Sequence, residues 1–400
     1  MKSTIDKILR KIYFRFFKVS KANNSLLPKE LPQIVDFPSK NESHKIIHIS
    51  AFNYGNAGDA LLPIALQDTW SHILPTLCWK NKAVYPVVDD QLINQINDTN
   101  GVVIGGGGLF LKDTNANDKS GWQWPCSVEM LKKIKRPVVI YAVGYNRFRG
   151  QEEFEPYFKE NITAFAKKSC YIGLRNTGSI EAIKNYIPED LHHKLRFQPC
   201  MTTFLSKLYP DLADYNQKED FVAINTAFDR SHLRFGKNIG VILSNTAKML
   251  KDISKNIPIK FYSHMQTDEA ILPFLQSFGV KYELVKLSHV HPKKIIEEYS
   301  RPKLVVGMRG HAQMIPFGCK TPIVSIISHD KLQWFLDDIG RPNWGVDVLS
   351  STYSKDLQSR ILNSLENTQN EIEYISRKQK ELYHTSLKNV KDALEKMHLN

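Results

Sequence analysis

From residue 44 onward the chain alternates short apolar runs with glycine-containing turns and helical stretches, and this alternation limits the possible folds more than any other feature. "KIIHISAF" reads as a strand, followed by a turn and helix in "NYGNAGDALLPIALQDTW". "GVVIGGGGLF" and "RPVVIYAVGYN" read as further strands running into glycine, and "AFAKKSCYIGLRNTGSIEAIKNY" reads as helix, strand, turn, helix. Repeated strand–turn–helix units predict a parallel sheet covered by helices. A polar interval, "LYPDLADYNQKEDF", ends this series, and a second begins at "FVAINTAFDR" and runs through "IIEEYSRPKLVVGMRGHAQMIPFGCKTPIVSI". The expected fold class is α/β, with two Rossmann-like domains facing a cleft. The expected boundaries are 1–43 for a basic helix and linker, 44–205 and 218–345 for the two domains, and 350–400 for a charged helical tail.

In an open α/β sheet the ligand crevice lies beyond the carboxyl ends of the strands, so functional side chains are sought just after the strands. "GMRGHAQ" places Arg309 and His311 between a strand and an apolar helix, and Lys331 follows the next strand in "IVSIISHDKLQWF". Two cations and an imidazole beyond successive strands can neutralise a small polyanion and move a proton at the same place. A lone histidine is more often structural, so it is the grouping that singles out His311. "YIGLRNTGS" places Arg175 after a strand, where a planar guanidinium can clamp a carboxylate or phosphate or can simply be a solvated charge. In "NYGNAGDALL", Asp59 can cap the following helix, or Asn56 and Asp59 shape the cleft or hold an acceptor hydroxyl. Gly106 and Gly107, in the run Gly105–Gly108, either bring backbone N–H groups to an anion or sugar or relieve crowding in a tight turn. That run matches neither GxGxxG nor a Walker loop.

Composition narrows the partners. A formal charge of +13 favours anionic ones. Outside the N-terminus the positive charge is dispersed and without a nucleic-acid motif, which argues against nucleic acid. The five cysteines are scattered, with no CxxC pair, which argues against a disulfide framework or a zinc site, and no metal is expected. No stretch approaches the roughly 20 apolar residues that span a bilayer. These features predict a cytoplasmic protein. In "MKSTIDKILRKIYFRFFKVSK", residues 1–21, Ile5, Ile8, Leu9, Ile12, Phe16 and Val19 follow helical spacing opposite seven lysines and arginines. Such a helix suits an anionic membrane surface, here the inner face of the cell membrane, or docks on the body of the protein.

The series "NYGNAGDALL", "VVIGGGGLF", "GLRNTGSIEAI" and "GMRGHAQMIPFGCKTPIVSIISHDK" resembles the polysaccharide pyruvyl transferase family over about residues 48–340. The last element is the most specific. The resemblance implies a GT-B-like fold and transfer of the enolpyruvyl unit of phosphoenolpyruvate onto a sugar as a cyclic ketal, in exopolysaccharide or capsule synthesis. Phosphoenolpyruvate is then the donor, no cofactor is required, and a glycan or lipid-linked glycan is the acceptor. The resemblance gives Arg309, His311 and Lys331 a place through the last motif, and Arg175 through "LRN"; His311 is the expected acid or base. Asn176 and Cys200 stand where the family commonly has aspartate. Two other functions suit a chain of this layout: a glycosyltransferase using a nucleotide sugar, and a non-catalytic glycan- or membrane-binding relative.

Overall fold

A computed structural model describes residues 44–214 and 218–399, which form two compact units. The basic stretch 1–21 and its linker lie outside the described residues. One unit comprises residues 44–52, 59–208 and 378–399; the other comprises 53–58, 209–214 and 218–377. Each is built on a six-stranded sheet, and all recorded strand pairs are parallel. This is the α/β class expected from the alternation.

The first sheet contains β1 (His44–Ser50), β2 (Leu77–Ala83), β3 (Gly101–Phe110), β4 (Val138–Tyr145), β5 (Tyr171–Leu174) and β6 (Leu195–Phe197), in the order β2-β1-β3-β4-β5-β6. Its central strands are apolar along their whole length because helices cover both faces, so every residue of β4 is buried. The glycine run belongs to β3 itself. Gly106 and Gly107 adopt φ of +71° and +121° at an irregularity in the β3–β4 register, where other residues would be strained. Trp122, Trp124, Phe158 and Phe165 are fully buried beside the sheet, each burial stabilising by about 2–3 kcal/mol. The C-terminal segment 378–399 completes this unit. Ser386 meets Gln198 at 3.0 Å and Tyr141 at 3.1 Å, and Asn389 donates to Phe197 O and Gln198 Oε1, both at 2.9 Å.

The second sheet contains β7 (Glu219–Ile224), β8 (Ile259–Ser263), β9 (Glu283–Lys286), β10 (Pro302–Gly307), β11 (Ile323–Ile327) and β12 (Gly345–Asp347), in the order β12-β11-β10-β7-β8-β9. This is the doubly wound dinucleotide-fold order, and the winding reverses between β7 and β10. The crevice is expected beyond the ends of those two strands. Helix Tyr353–Glu366 packs Tyr353, Leu357 and Ile361 into the core of this unit.

Two buried histidines make stability depend on acid. His48 Nε2 donates to Gly105 O at 3.2 Å and Nδ1 accepts from Gln67 at 2.9 Å, which fixes a neutral ring. Burial lowers its pKa from 6.5 to about 4, although the Gly105 carbonyl pulls the other way. Burial, then the charge of Arg309, lowers His264 from 6.5 to about 3. The native state therefore binds fewer protons than the unfolded chain between these values. Its stabilisation is complete above pH 6.5 and is lost as pH falls through 6.5 toward about 4 and about 3. Unfolding free energy from denaturant titrations should fall by about 1.4 kcal/mol per pH unit per histidine below pH 6.5. A flat profile from pH 7 to 5 would contradict the neutral, buried state of both rings.

Candidate active site

In the first unit, the backbone N–H of Arg175 pairs with Val143 O at 3.0 Å as the chain leaves β5. Its side chain turns back under β4. A Cβ on Gly144 would lie 2.5 Å from one terminal nitrogen of Arg175, and a Cβ on Gly108 would lie 3.5 Å from it. The glycines thus make the space that the guanidinium occupies. Arg175 is only 6% exposed, and its Nε has no hydrogen-bond partner among the described residues. Burial lowers its pKa, while the charges of Cys200 and then Asp59 act to raise it. Asp59 lies in the first turn of helix Ala57–Ser71. Asn176 Oδ1 caps helix Thr177–Lys184 by accepting from Ser179 N at 2.7 Å, a role that asparagine or aspartate fills equally. Cys200 is buried, its thiol pushed up by that burial, and it meets Thr202 Oγ1 at 3.2 Å. Gly106 and Gly107 are buried within β3, and Gly106 O accepts from Ser50 Oγ at 3.3 Å, so Gly108 is the more open glycine of the run.

In the second unit, His311 opens helix His311–Gly318, and its ring lies against the loop 53–58. A Cβ on Gly58 would lie 2.1 Å from His311 Nδ1 and 2.8 Å from its Cβ, so only glycine lets the loop pass this close. Asn56 shapes the same loop: its Oδ1 accepts the Gly58 N–H at 3.1 Å. The loop is further anchored by the His289 N–H, which donates to Tyr54 O at 2.7 Å. Lys331 is the second residue of helix Asp330–Asp338, an end whose dipole disfavours a cation. Its Cε lies 3.9 Å from the position of a Cβ on Gly310. The structure thus gathers Asn56, Gly58, His311, Gly310 and Lys331 in one unit, and Arg175 and Asp59 in the other.

Arg309, expected among the cations that meet a small polyanion, is engaged by carboxylates of the protein. Its Nε meets both carboxylate oxygens of Asp268, at 2.8 and 3.0 Å, and a terminal nitrogen meets Oδ1 at 2.5 Å. The same nitrogen lies 3.0 Å from Asp229. The backbone N–H of Arg309 donates to Asn225 Oδ1 at 3.2 Å, which ties the ends of β10 and β7 together at the reversal point. Asp268 also accepts from Asn225 Nδ2 at 3.2 Å and from the backbone N–H groups of His264 and Met265, at 3.0 and 3.3 Å. Burial pushes its carboxyl upward while Arg309 pulls it back. Asp229 is held well below the usual carboxylate range: burial opposes this, and Arg234, Arg309 and Arg230 together outweigh it.

A family model for polysaccharide pyruvyl transferase matches residues 5–330. The chain belongs to the polysaccharide pyruvyl transferase family. No curated protein matches it by sequence. Solved structures similar to this family member are more distant in sequence. A putative UDP-N-acetylglucosamine 2-epimerase from Listeria monocytogenes is 10% identical, with 83% of this chain and 91% of that one covered and a TM-score of 0.51. MnaA of S. aureus, solved with UDP, is 11% identical over 86% of this chain and 91% of that one, TM-score 0.51. An O-GlcNAc transferase mutant from Thermobaculum terrenum is 12% identical over 90% and 68%, TM-score 0.51. At such identities the likeness shows the fold alone, which is the GT-B type. Among the described residues of this pyruvyl transferase family member, no group of three or more His, Cys, Asp or Glu is placed to hold a metal ion. No helix among them is long and apolar enough to cross a membrane.

Asn225, Asp229, Arg234 and Asp268 are absent from the sequence-based set. Asn225 directly follows β7, and Asp229 and Asp268 each lie five residues past the ends of β7 and β8, so the rule that singled out Arg309 extends to them. Reading every strand end, rather than those followed by glycine, would have found them.

Proposed function

We propose that the protein moves the enolpyruvyl unit of phosphoenolpyruvate onto two hydroxyls of a sugar, in a polysaccharide or its lipid-linked precursor, as a cyclic ketal. The observation that carries this reading beyond the family is the approach of Lys331, after β11, to within 3.9 Å of the position of a Cβ on Gly310, the residue that precedes His311 after β10.

In the proposed reaction a proton adds to the vinyl carbon, and the first sugar hydroxyl attacks the resulting oxocarbenium-like carbon and gives up its proton. The second hydroxyl then displaces phosphate and closes the ketal. Lys331 supplies positive charge for the donor. His311 holds or releases the proton, since imidazole does both near neutral pH. Arg309, tied to Asp268, orients the turn that presents His311. In the first unit, Arg175 is assigned a substrate-binding role, as the resemblance implies, and Asp59 is assigned one from its place at the turn after β1. Exopolysaccharide or capsule synthesis at the cytoplasmic face of a membrane is the proposed setting, with residues 1–21 as the membrane contact.

The test is incubation with phosphoenolpyruvate and acceptor glycan, with phosphate as the readout. Nucleotide release from a sugar donor, with no phosphate from phosphoenolpyruvate, would replace this reading with glycosyl transfer. Gly58→Ala should lower turnover by about 100-fold, the cost of displacing a positioned group by about 1 Å. The check is kcat in a variant whose thermal midpoint is near that of the wild type. Unchanged turnover would remove His311 from the chemistry.

A further inference from the structure

Arg234, in helix Ser231–Phe235, has no place in the mechanism above, yet it is the best-connected buried cation near these loops. It is 4% exposed, and each of its three guanidinium nitrogens is engaged by a protein group. Its Nε donates to Asp229 O at 2.8 Å, one terminal nitrogen reaches Asp229 Oδ2 at 3.1 Å, and the other donates to Ser328 Oγ at 2.8 Å. Ser328 is the first residue after β11 and lies three before Lys331. Asp229 in turn lies 3.0 Å from Arg309, two residues before His311. One guanidinium therefore reaches both functional loops, directly through Ser328 and through Asp229 to Arg309.

We propose that Arg234 is a positioning residue: a strut that sets the spacing between the loop of Arg309 and His311 and the loop of Lys331, and so sets affinity for the phosphorylated donor. This rests on the reading of those loops as the donor site. Stability alone is a weak reason for such a network, because burying ions costs about as much as their pairing returns. Geometry is the stronger reason. The planar fork of arginine holds two partners at fixed angles, which the single ammonium of lysine cannot do. Ser328 is itself 2% exposed, so its hydroxyl is not exchanging Arg234 for solvent.

Arg234→Lys keeps the charge and removes the two-partner reach. It is expected to weaken binding of phosphoenolpyruvate and of inorganic phosphate by about 10- to 100-fold by calorimetry, the scale of a small misplacement of binding groups. KM for the donor should rise far more than kcat falls, and the acceptor KM should stay unchanged. Ser328→Ala severs one end of the strut and should shift the same constants in the same direction, which provides a second route if Arg234→Lys fails to fold. Wild-type anion affinity in either folded variant overturns the proposal, as does a loss confined to kcat. A wild type that binds phosphate but not phosphoenolpyruvate rejects the donor reading and leaves the strut to be judged on phosphate. A wild type that binds neither rejects both.

Discussion

His311→Ala is expected to reduce phosphate release from phosphoenolpyruvate by about 100- to 10,000-fold, the contribution of a positioned acid or base. The structure gives reasons to expect a folded variant. His311 is partly exposed and stands at the first position of its helix, where alanine keeps the backbone geometry. The apolar helix behind it, with Met314, Ile315 and Phe317 buried, carries the packing. The check pairs a phosphate-release assay with a thermal melt. Activity within threefold of the wild type would remove His311 from the acid–base role.

The largest effect on stability is expected at Asp268. Its carboxylate is fully buried and collects Arg309, Asn225 and two backbone N–H groups from β7, β10 and the turn after β8. Asp268→Ala leaves Arg309, 11% exposed at its side chain, without its bidentate partner and takes one acceptor from Asn225 Nδ2, which keeps Tyr262 O at 2.9 Å. Breaking a buried pair from one side costs about 3–5 kcal/mol, because the remaining charge stays desolvated. Urea unfolding of Asp268→Ala should show that loss. The control is Asp118→Ala, whose partner Lys119 is solvent-exposed and whose ion pair contributes about 0–1 kcal/mol. A loss below 1 kcal/mol at Asp268 would mean that Asp229 alone compensates Arg309.

The architecture was legible because it is written locally. Strand–turn–helix alternation marks each unit, and the polar stretch near residue 210 marks the restart. Strand ends also marked His311 and Lys331, and in the fold the Cε of Lys331 lies 3.9 Å from the position of a Cβ on Gly310, next to His311 in the chain. What the sequence did not display is long-range pairing. Arg309 reads as a cation for a small polyanion because its partners, Asp268 and Asp229, lie 41 and 80 positions away and no periodicity links them. The glycine run looked like a loop because glycines commonly end strands. Here positive φ at Gly106 and Gly107 lets β3 continue through an irregularity to Phe110. Asn176 was read against a family aspartate, whereas its observed work is capping a helix. The cradle of Arg175 depends on Gly108 and Gly144, on two different strands, and only the folded sheet brings them together.

The most direct measurement is the mass of acceptor glycans from cells with and without the intact gene, each compared before and after incubation with the purified protein and phosphoenolpyruvate. The account predicts that glycans from the deletion strain lack a pyruvyl ketal and gain one on incubation with the wild-type protein, with phosphate released in equal amount, and that they gain none with His311→Ala. Identical glycan masses in the two strains, with no gain on incubation and no phosphate released, would contradict it.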